Sequence, residues 1–233
     1  MEFKKLGKSD LTVSAYCLGT MTFGEATSET DSHLQIDQSL ASGINFIDTA
    51  EMYPTCPLRE ETTGDTEVII GNWIEKNKSK RADFVLATKI SGKGYKAVRN
   101  GEGIDEKSIK IAIEGSLKKL KTDYIDLYQL HWPNRGSYHF RQNWNYNPTN
   151  QDTEIAKDNI NGVLNSLSDL QKEGKIRHIG LSNETCWGTS QFIDQLKNFS
   201  NLIIASIQNE YSLLCRLYDL DMAEMSHHEN ISL

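Results

Sequence analysis

The 233-residue sequence is poor in the residues that staple or punctuate small folds, with four cysteines and four prolines. Cys17, Cys56, Cys186 and Cys215 are widely scattered, with no CxxC pair and no companion histidines at ligand spacing. A zinc site is therefore not legible, and reduced thiols in a cytoplasmic protein are the expectation. Long apolar runs are missing too: Leu202-Ile203-Ile204-Ala205 is strand-sized, far short of a membrane span. The start, Met1 to Gly7, has basic residues but no apolar stretch behind them, so no signal peptide is expected. Positive charge is in deficit, with 25 Lys and Arg against 32 Asp and Glu and a net charge of -7. Such a balance does not suit nucleic acid or an anionic membrane as the main partner. Finally, no GxGxxG follows the first β-rich run; Gly19 to Gly24 lacks that spacing, and with it the Rossmann fingerprint.

What is present is an alternation. Short β-rich runs occur at Ala15–Leu18, Ile44–Ile47, Phe84–Ala87, Ile125–Leu130, Ile176–Leu181 and Leu202–Ile207. Several are apolar at nearly every position, as strands covered on both faces should be. Between them lie helical stripes. Ile109, Ile113, Leu117 and Leu120 follow Asp105 as a plausible N-cap, and Ile160, Val163, Leu164, Leu167 and Leu170 are closed by Gly174. Asn183 predicts a third helix start. Phe3–Gly7 and Leu11–Ser14 read as a small β-hairpin turning at Lys8-Ser9-Asp10. Repeated strand–helix units call for a parallel sheet in an α/β fold, and the missing glycine fingerprint favours a barrel over an open sheet. Long loops are expected from Ala50 to Thr66, Ile90 to Gly103 and Trp132 to Lys157. The last is rich in aromatics and is a candidate lid or substrate wall.

In a βα barrel, polar residues just past the strand C-termini point into the active site. Those positions hold Gly19 and Thr20, Asp48 and Thr49, Thr88 and Lys89, His131, Ser182 and Asn183, and Gln208 and Asn209, with Tyr53 early in the second loop. Asp48, Tyr53, Lys89 and His131 thus converge on one mouth. A buried lysine beside a tyrosine is expected to lower the phenol toward working pH, a carboxylate to keep that lysine charged, and a histidine to orient a substrate oxygen. The set makes a proton donor aimed at a carbonyl. A metal-dependent hydrolase would want more ligands, and none is assigned: His33, His139, His178, His227 and His228 lie elsewhere. A Schiff-base role for Lys89, as in an aldolase, stays open on chemistry alone, as does a catalytically silent interaction module built on the same barrel.

The motifs carry more than their spacing. Leu18-Gly19-Thr20-Met21-Thr22-Phe23-Gly24, Gly43 through Asp48-Thr49-Ala50-Glu51-Met52-Tyr53, and Thr88-Lys89 come first. Leu117 through His131-Trp132-Pro133, Gly174-Lys175-Ile176-Arg177-His178-Ile179-Gly180-Leu181-Ser182-Asn183-Glu184 and Gln208 through Leu214 follow in order. With these the chain closely resembles the aldo-keto reductase family, in a Tas-like bacterial NADP(H)-dependent branch akin to potassium-channel β subunits. The resemblance implies a single (β/α)8 TIM barrel over residues 1–233 with an N-terminal β-hairpin, incomplete at about six of eight strands. Asn230–Leu233 would open the seventh strand, and family members continue through strands seven and eight. It implies reduction of aldehydes or ketones by NADP(H), with Tyr53 as general acid, Asp48 and Lys89 tuning it, and His131 and Trp132 facing a small carbonyl substrate. It further implies cofactor contacts from Gly19, Thr20, Met21, Ser182, Asn183, Gln208 and Tyr211.

Overall fold

The computed structural model describes residues 1–233. Its core is a six-stranded parallel sheet whose spatial order repeats the chain order, from β3 (Leu18–Gly19) through β4 (Phe46–Asp48), β5 (Val85–Ile90), β6 (Ile125–Leu130) and β7 (Ile176–Ser182) to β8 (Ile204–Gln208). Helices α1 (Glu29–Ala41), α2 (Asp65–Lys76), α3 (Glu106–Leu120), α4 (Thr153–Lys172) and α5 (Cys186–Leu196) connect successive strands, and α6 (Met222–Glu229) follows β8. Beyond it, Ser232 makes a parallel bridge to Ser206 on the outer edge of β8. This is the α/β arrangement expected of an incomplete (β/α)8 barrel. No helix is long and apolar enough to cross a membrane.

The hydrophobic stripes explain how the layers lock. Ile109, Ile113 and Leu120 of α3 and Ile160, Val163, Leu164, Leu167 and Leu170 of α4 are buried with Leu86, Tyr128, Ile179 and Ile207, which point outward from the strands. Each fully buried aliphatic side chain of this kind contributes about 1.5–3 kcal/mol. Asp105 caps α3 reciprocally with Ser108, and Gly174, at φ +75°, takes the left-handed turn after α4. The N-terminal hairpin, β1 (Phe3–Lys5) and β2 (Thr12–Ser14), covers the other end of the sheet. There Leu6, Leu11 and Val13 pack on Val85, Ala87, Leu127 and Ala205. Its turn is tied down by Asp10, which accepts from His178 at 2.5 Å and from Arg177 at 3.1 Å.

Several expected boundaries shift. The first strand covers only Leu18–Gly19 rather than Ala15–Leu18, because Ala15 turns back to bond Glu2 at the hairpin. The helix after β7 starts later than Asn183: that residue sits at φ +51°, and Thr185 is the N-cap, accepting from the Gly188 N–H. The aromatic loop ends sooner than Lys157, because the Asp152 carboxylate accepts from the Glu154 and Ile155 N–H groups and opens α4 at Thr153.

Candidate active site

Parallel register decides which side chains meet. Gly19 pairs with Asp48, Asp48 with Ala87, Lys89 with Gln129, Gln129 with Gly180, and Ser182 with Gln208. Side chains two residues apart on a strand share a face, so Asp48, Lys89 and Gln129 all reach the sheet's concave side. The Asp48 carboxylate accepts from Lys89 Nζ at 2.6 Å and Gln208 Nε2 at 3.2 Å through Oδ2, and from Gln129 Nε2 at 2.8 Å through Oδ1. Lys89, fully buried, also donates to the Thr49 carbonyl at 2.8 Å and reaches Tyr53 Oη at 3.4 Å. His131 follows β6, its ring 5.7 Å from that of Tyr53, and its carbonyl accepts from Asn183 Nδ2 at 2.9 Å. Its Nδ1 is buried without a partner.

Burial and charge set the protonation states. Burial pulls Lys89 down, but the adjacent Asp48 and Tyr53 outweigh it and hold the ammonium above its ordinary value. A lysine kept charged is a poor amine nucleophile, which removes the ground for an aldolase-like Schiff base. Tyr53 corrects an expectation. Burial raises the phenol more than Lys89 lowers it, with Asp48 adding to the rise, so the group stays a protonated donor rather than approaching phenolate. Burial, then the Lys89 charge, push His131 well below its usual value, leaving a neutral imidazole.

That last shift has a thermodynamic consequence. A histidine held neutral when folded leaves the unfolded chain as the better proton acceptor. Stability should therefore fall as pH drops from about 6.5 toward the lowered folded-state value, by up to about 1.4 kcal/mol per pH unit. His139, also lowered by burial, adds to the same slope. Urea midpoints measured across that window should decline less steeply in His131→Gln than in the parent. An unchanged slope would mean that His131 titrates alike in both states.

Tyr53 and His131 face a cavity of about 680 Å³ walled by Met21, Met52, Leu58, Tyr95, Trp132 and Phe140. The Trp132 indole donates to the Lys93 carbonyl and meets Phe140 edge to face. The remaining expected residues divide into four groups. Gly19 and Met21 lie open at the mouth. Thr20 is fully buried, its hydroxyl donating to the Asp48 carbonyl at 2.8 Å. At the other side Ser182 Oγ donates to the Gln208 carbonyl and accepts from Asn183 Nδ2, so strand ends β7 and β8 are laced together. Tyr211 stands apart from the cavity on the loop after β8, half exposed against Tyr218 and Arg216.

Gln129 was not singled out by sequence, although a signal exists: it is the only polar residue besides Asp126 in a strand buried at every position. Gly180 makes its reach feasible, since a Cβ there would stand 3.1 Å from Gln129 Cγ and 2.9 Å from Ser206 Oγ. Glu51 and Arg99 were likewise missed.

A sequence model described as the Aldo/keto reductase family matches residues 15–233. The chain belongs to the aldo/keto reductase family. Among its relatives, "Protein tas" of Escherichia coli (strain K12) is 42% identical over 236 residues, covering 100% of this chain and 66% of that protein. "Uncharacterized oxidoreductase YrpG" of Bacillus subtilis (strain 168) is 32% identical, over 95% of this chain and 61% of its own length. Among solved structures, "aldo-keto reductase AKR11C1 from Bacillus halodurans (holo form)" superposes with a TM-score of 0.74 at 29% identity, covering 100% of this chain and 64% of that one. The chain thus spans somewhat under two thirds of the length of these family members. The enzymes of this family are oxidoreductases, and the tyrosine–lysine–aspartate cluster sits within the matched residues.

Proposed function

We propose that this site reduces aldehyde or ketone carbonyls to alcohols, with NADP(H) as the hydride carrier and Tyr53 as the proton donor. The observation that carries it is the contact chain Asp48–Lys89–Tyr53 ending at a cavity shared with His131. Tyr53 presents a protonated phenol to a carbonyl oxygen, and the Lys89 ammonium behind it stabilises the phenolate left when the proton moves. Asp48, held by its three donors, keeps Lys89 charged and fixed. His131, neutral, offers a hydrogen bond that orients the oxygen without competing as an acid. Apolar walls from Met52, Trp132 and Phe140 exclude water around the reacting carbon.

Asn183 and Gln208 support the cofactor half of the proposal. Both amides spend their N–H groups within the chain, while neither side-chain carbonyl oxygen accepts a hydrogen bond from it. Two free acceptors beside the mouth fit the amide donors of a nicotinamide carboxamide, whereas Tyr211, on the loop after β8 with Arg216 over its ring, would have to swing in to stack on it. NADPH, when bound, supplies the hydride. The test is direct. NADPH should quench the protein's tryptophan fluorescence and be consumed at 340 nm only when an aldehyde is added. No quenching up to millimolar NADPH would reject the cofactor assignment. Binding without aldehyde-dependent consumption would reject the reaction.

A further inference from the structure

We propose that Glu51 and Arg99 form a positioning pair that sets the separation of Tyr53 from Lys89, a role resting on the carbonyl-reducing site above but read here from the chain's own contacts. After β4 the backbone keeps following β5: Thr49 N–H donates to the Ala87 carbonyl at 2.9 Å, and Glu51 N–H to the Lys89 carbonyl at 3.1 Å. Glu51 is thus bonded to the very residue whose ammonium faces the phenol. One tight turn later, Tyr53 N–H donates to the Ala50 carbonyl at 3.1 Å. The Glu51 side chain completes the attachment. Its Oε1 accepts from the Ser91 N–H at 2.5 Å, two residues past Lys89, and its Oε2 pairs with Arg99 Nη1.

Arg99 closes the ring by donating from Nη2 to the Ser91 carbonyl at 2.8 Å. Both side chains are buried, at 7% and 9% exposure, so the pair is not a solvated surface contact. Arg99 has φ of +44°, a left-handed conformation that a long side chain keeps when surrounding contacts enforce it, and Asn100, a residue type that adopts it readily, follows at +55°. The same loop brings Val98 against Ala50 and Met52, and Tyr95 against the cavity, where its Oη meets Thr63 Oγ1 at 2.8 Å. Glu51 therefore clasps the strand that carries Lys89 by backbone and by side chain. Arg99 holds that clasp from the neighbouring loop. Neither residue touches the place where a carbonyl would react.

The phenol itself reports the arrangement, independently of turnover. Asp48, Lys89, Cys56, His131 and Tyr95 are the charged or titratable groups around Tyr53, and burial is what raises it most. Tyrosine labelled with ¹³C at Cζ, with Tyr53→Phe for assignment, gives its titration midpoint by NMR. Arg99→Met should let the turn loosen and admit water. The Tyr53 midpoint should then drop toward an ordinary phenol by about one pH unit, a roughly tenfold change in ionisation. Tyr128, which the Glu51 charge raises and the Arg99 charge lowers, should move up rather than down. Tyrosines remote from the pair should not move, and Arg99→Lys should restore most of the Tyr53 shift. An unmoved Tyr53 midpoint in folded Arg99→Met, or an equal movement of every tyrosine, overturns the proposal. Should Arg99→Met not fold, Glu51→Gln is read by the same criterion, since it keeps an acceptor for Ser91 and loses only the ion pair. If this chain turned over no carbonyl at all, the reaction assignment would fail while the titration still decided the positioning role.

Discussion

Tyr53→Phe is expected to lower aldehyde-dependent NADPH oxidation by about 10²–10⁴-fold, the span general acid catalysis usually supplies. NADPH binding, followed by fluorescence quenching, should be unaffected. The reason is local. The ring stays, with its edge toward His131 5.7 Å away and its face under the Lys89 ammonium at 4.8 Å, so the cavity keeps its shape. Only the oxygen that Lys89 reaches at 3.4 Å is lost. Turnover within a factor of about two of the parent, too small for a lost general acid, would remove Tyr53 from the mechanism. A parallel loss of NADPH quenching would show that the substitution damages the fold of the mouth instead.

Lys89→Met should have the larger effect on stability. It deletes the closest partner of a carboxylate that is itself buried, leaving Asp48 with two amide donors and no counter-charge. Breaking a buried ion pair from one side typically costs about 3–5 kcal/mol. For a chain of this size that is a fall of roughly 6–20 °C in Tm. Thermal melts by circular dichroism should show this, and the double variant Asp48→Asn/Lys89→Met should recover part of it, because no charge is then stranded. A single variant melting with the parent would mean that water reaches Asp48. Activity should vanish in both, since the ammonium that stabilises the phenolate left by proton transfer is gone.

Much of this site could be read before any coordinates. Asp48, Lys89 and His131 lie at strand C-termini, and their convergence follows from a parallel sheet with a period of two along each strand. Tyr53 was placed by its nearness to Asp48 and by family motif. Quantities set by competition were less legible. The phenol's acidity depends on whether burial or Lys89 prevails, and the sequence names both without weighing them. Boundaries that depend on side-chain capping also moved: Thr185 rather than Asn183 starts α5, because Asn183 uses a left-handed backbone to aim its amide at His131. Glu51 and Arg99 escaped notice for another reason. They are 48 residues apart and meet only because two neighbouring loops fold over the same strand end.

The agreement between sheet order and chain order bears on how the polypeptide reaches this form. Each strand from β4 to β8 pairs with the one made just before it, so a growing chain can add one strand–helix unit at a time onto an existing edge. Each such pairing waits only for the unit just made, although parallel pairing across a helix is itself slow to close. The hairpin is the exception. Asp10 meets His178 across 168 residues and the Gly7 N–H meets Ser232 Oγ across 225, so each bond waits until the long stretch between its partners has been made. The hairpin is then latched only after the strands it covers have paired, and until that moment Leu6, Leu11 and Val13 are exposed apolar surface in need of shelter.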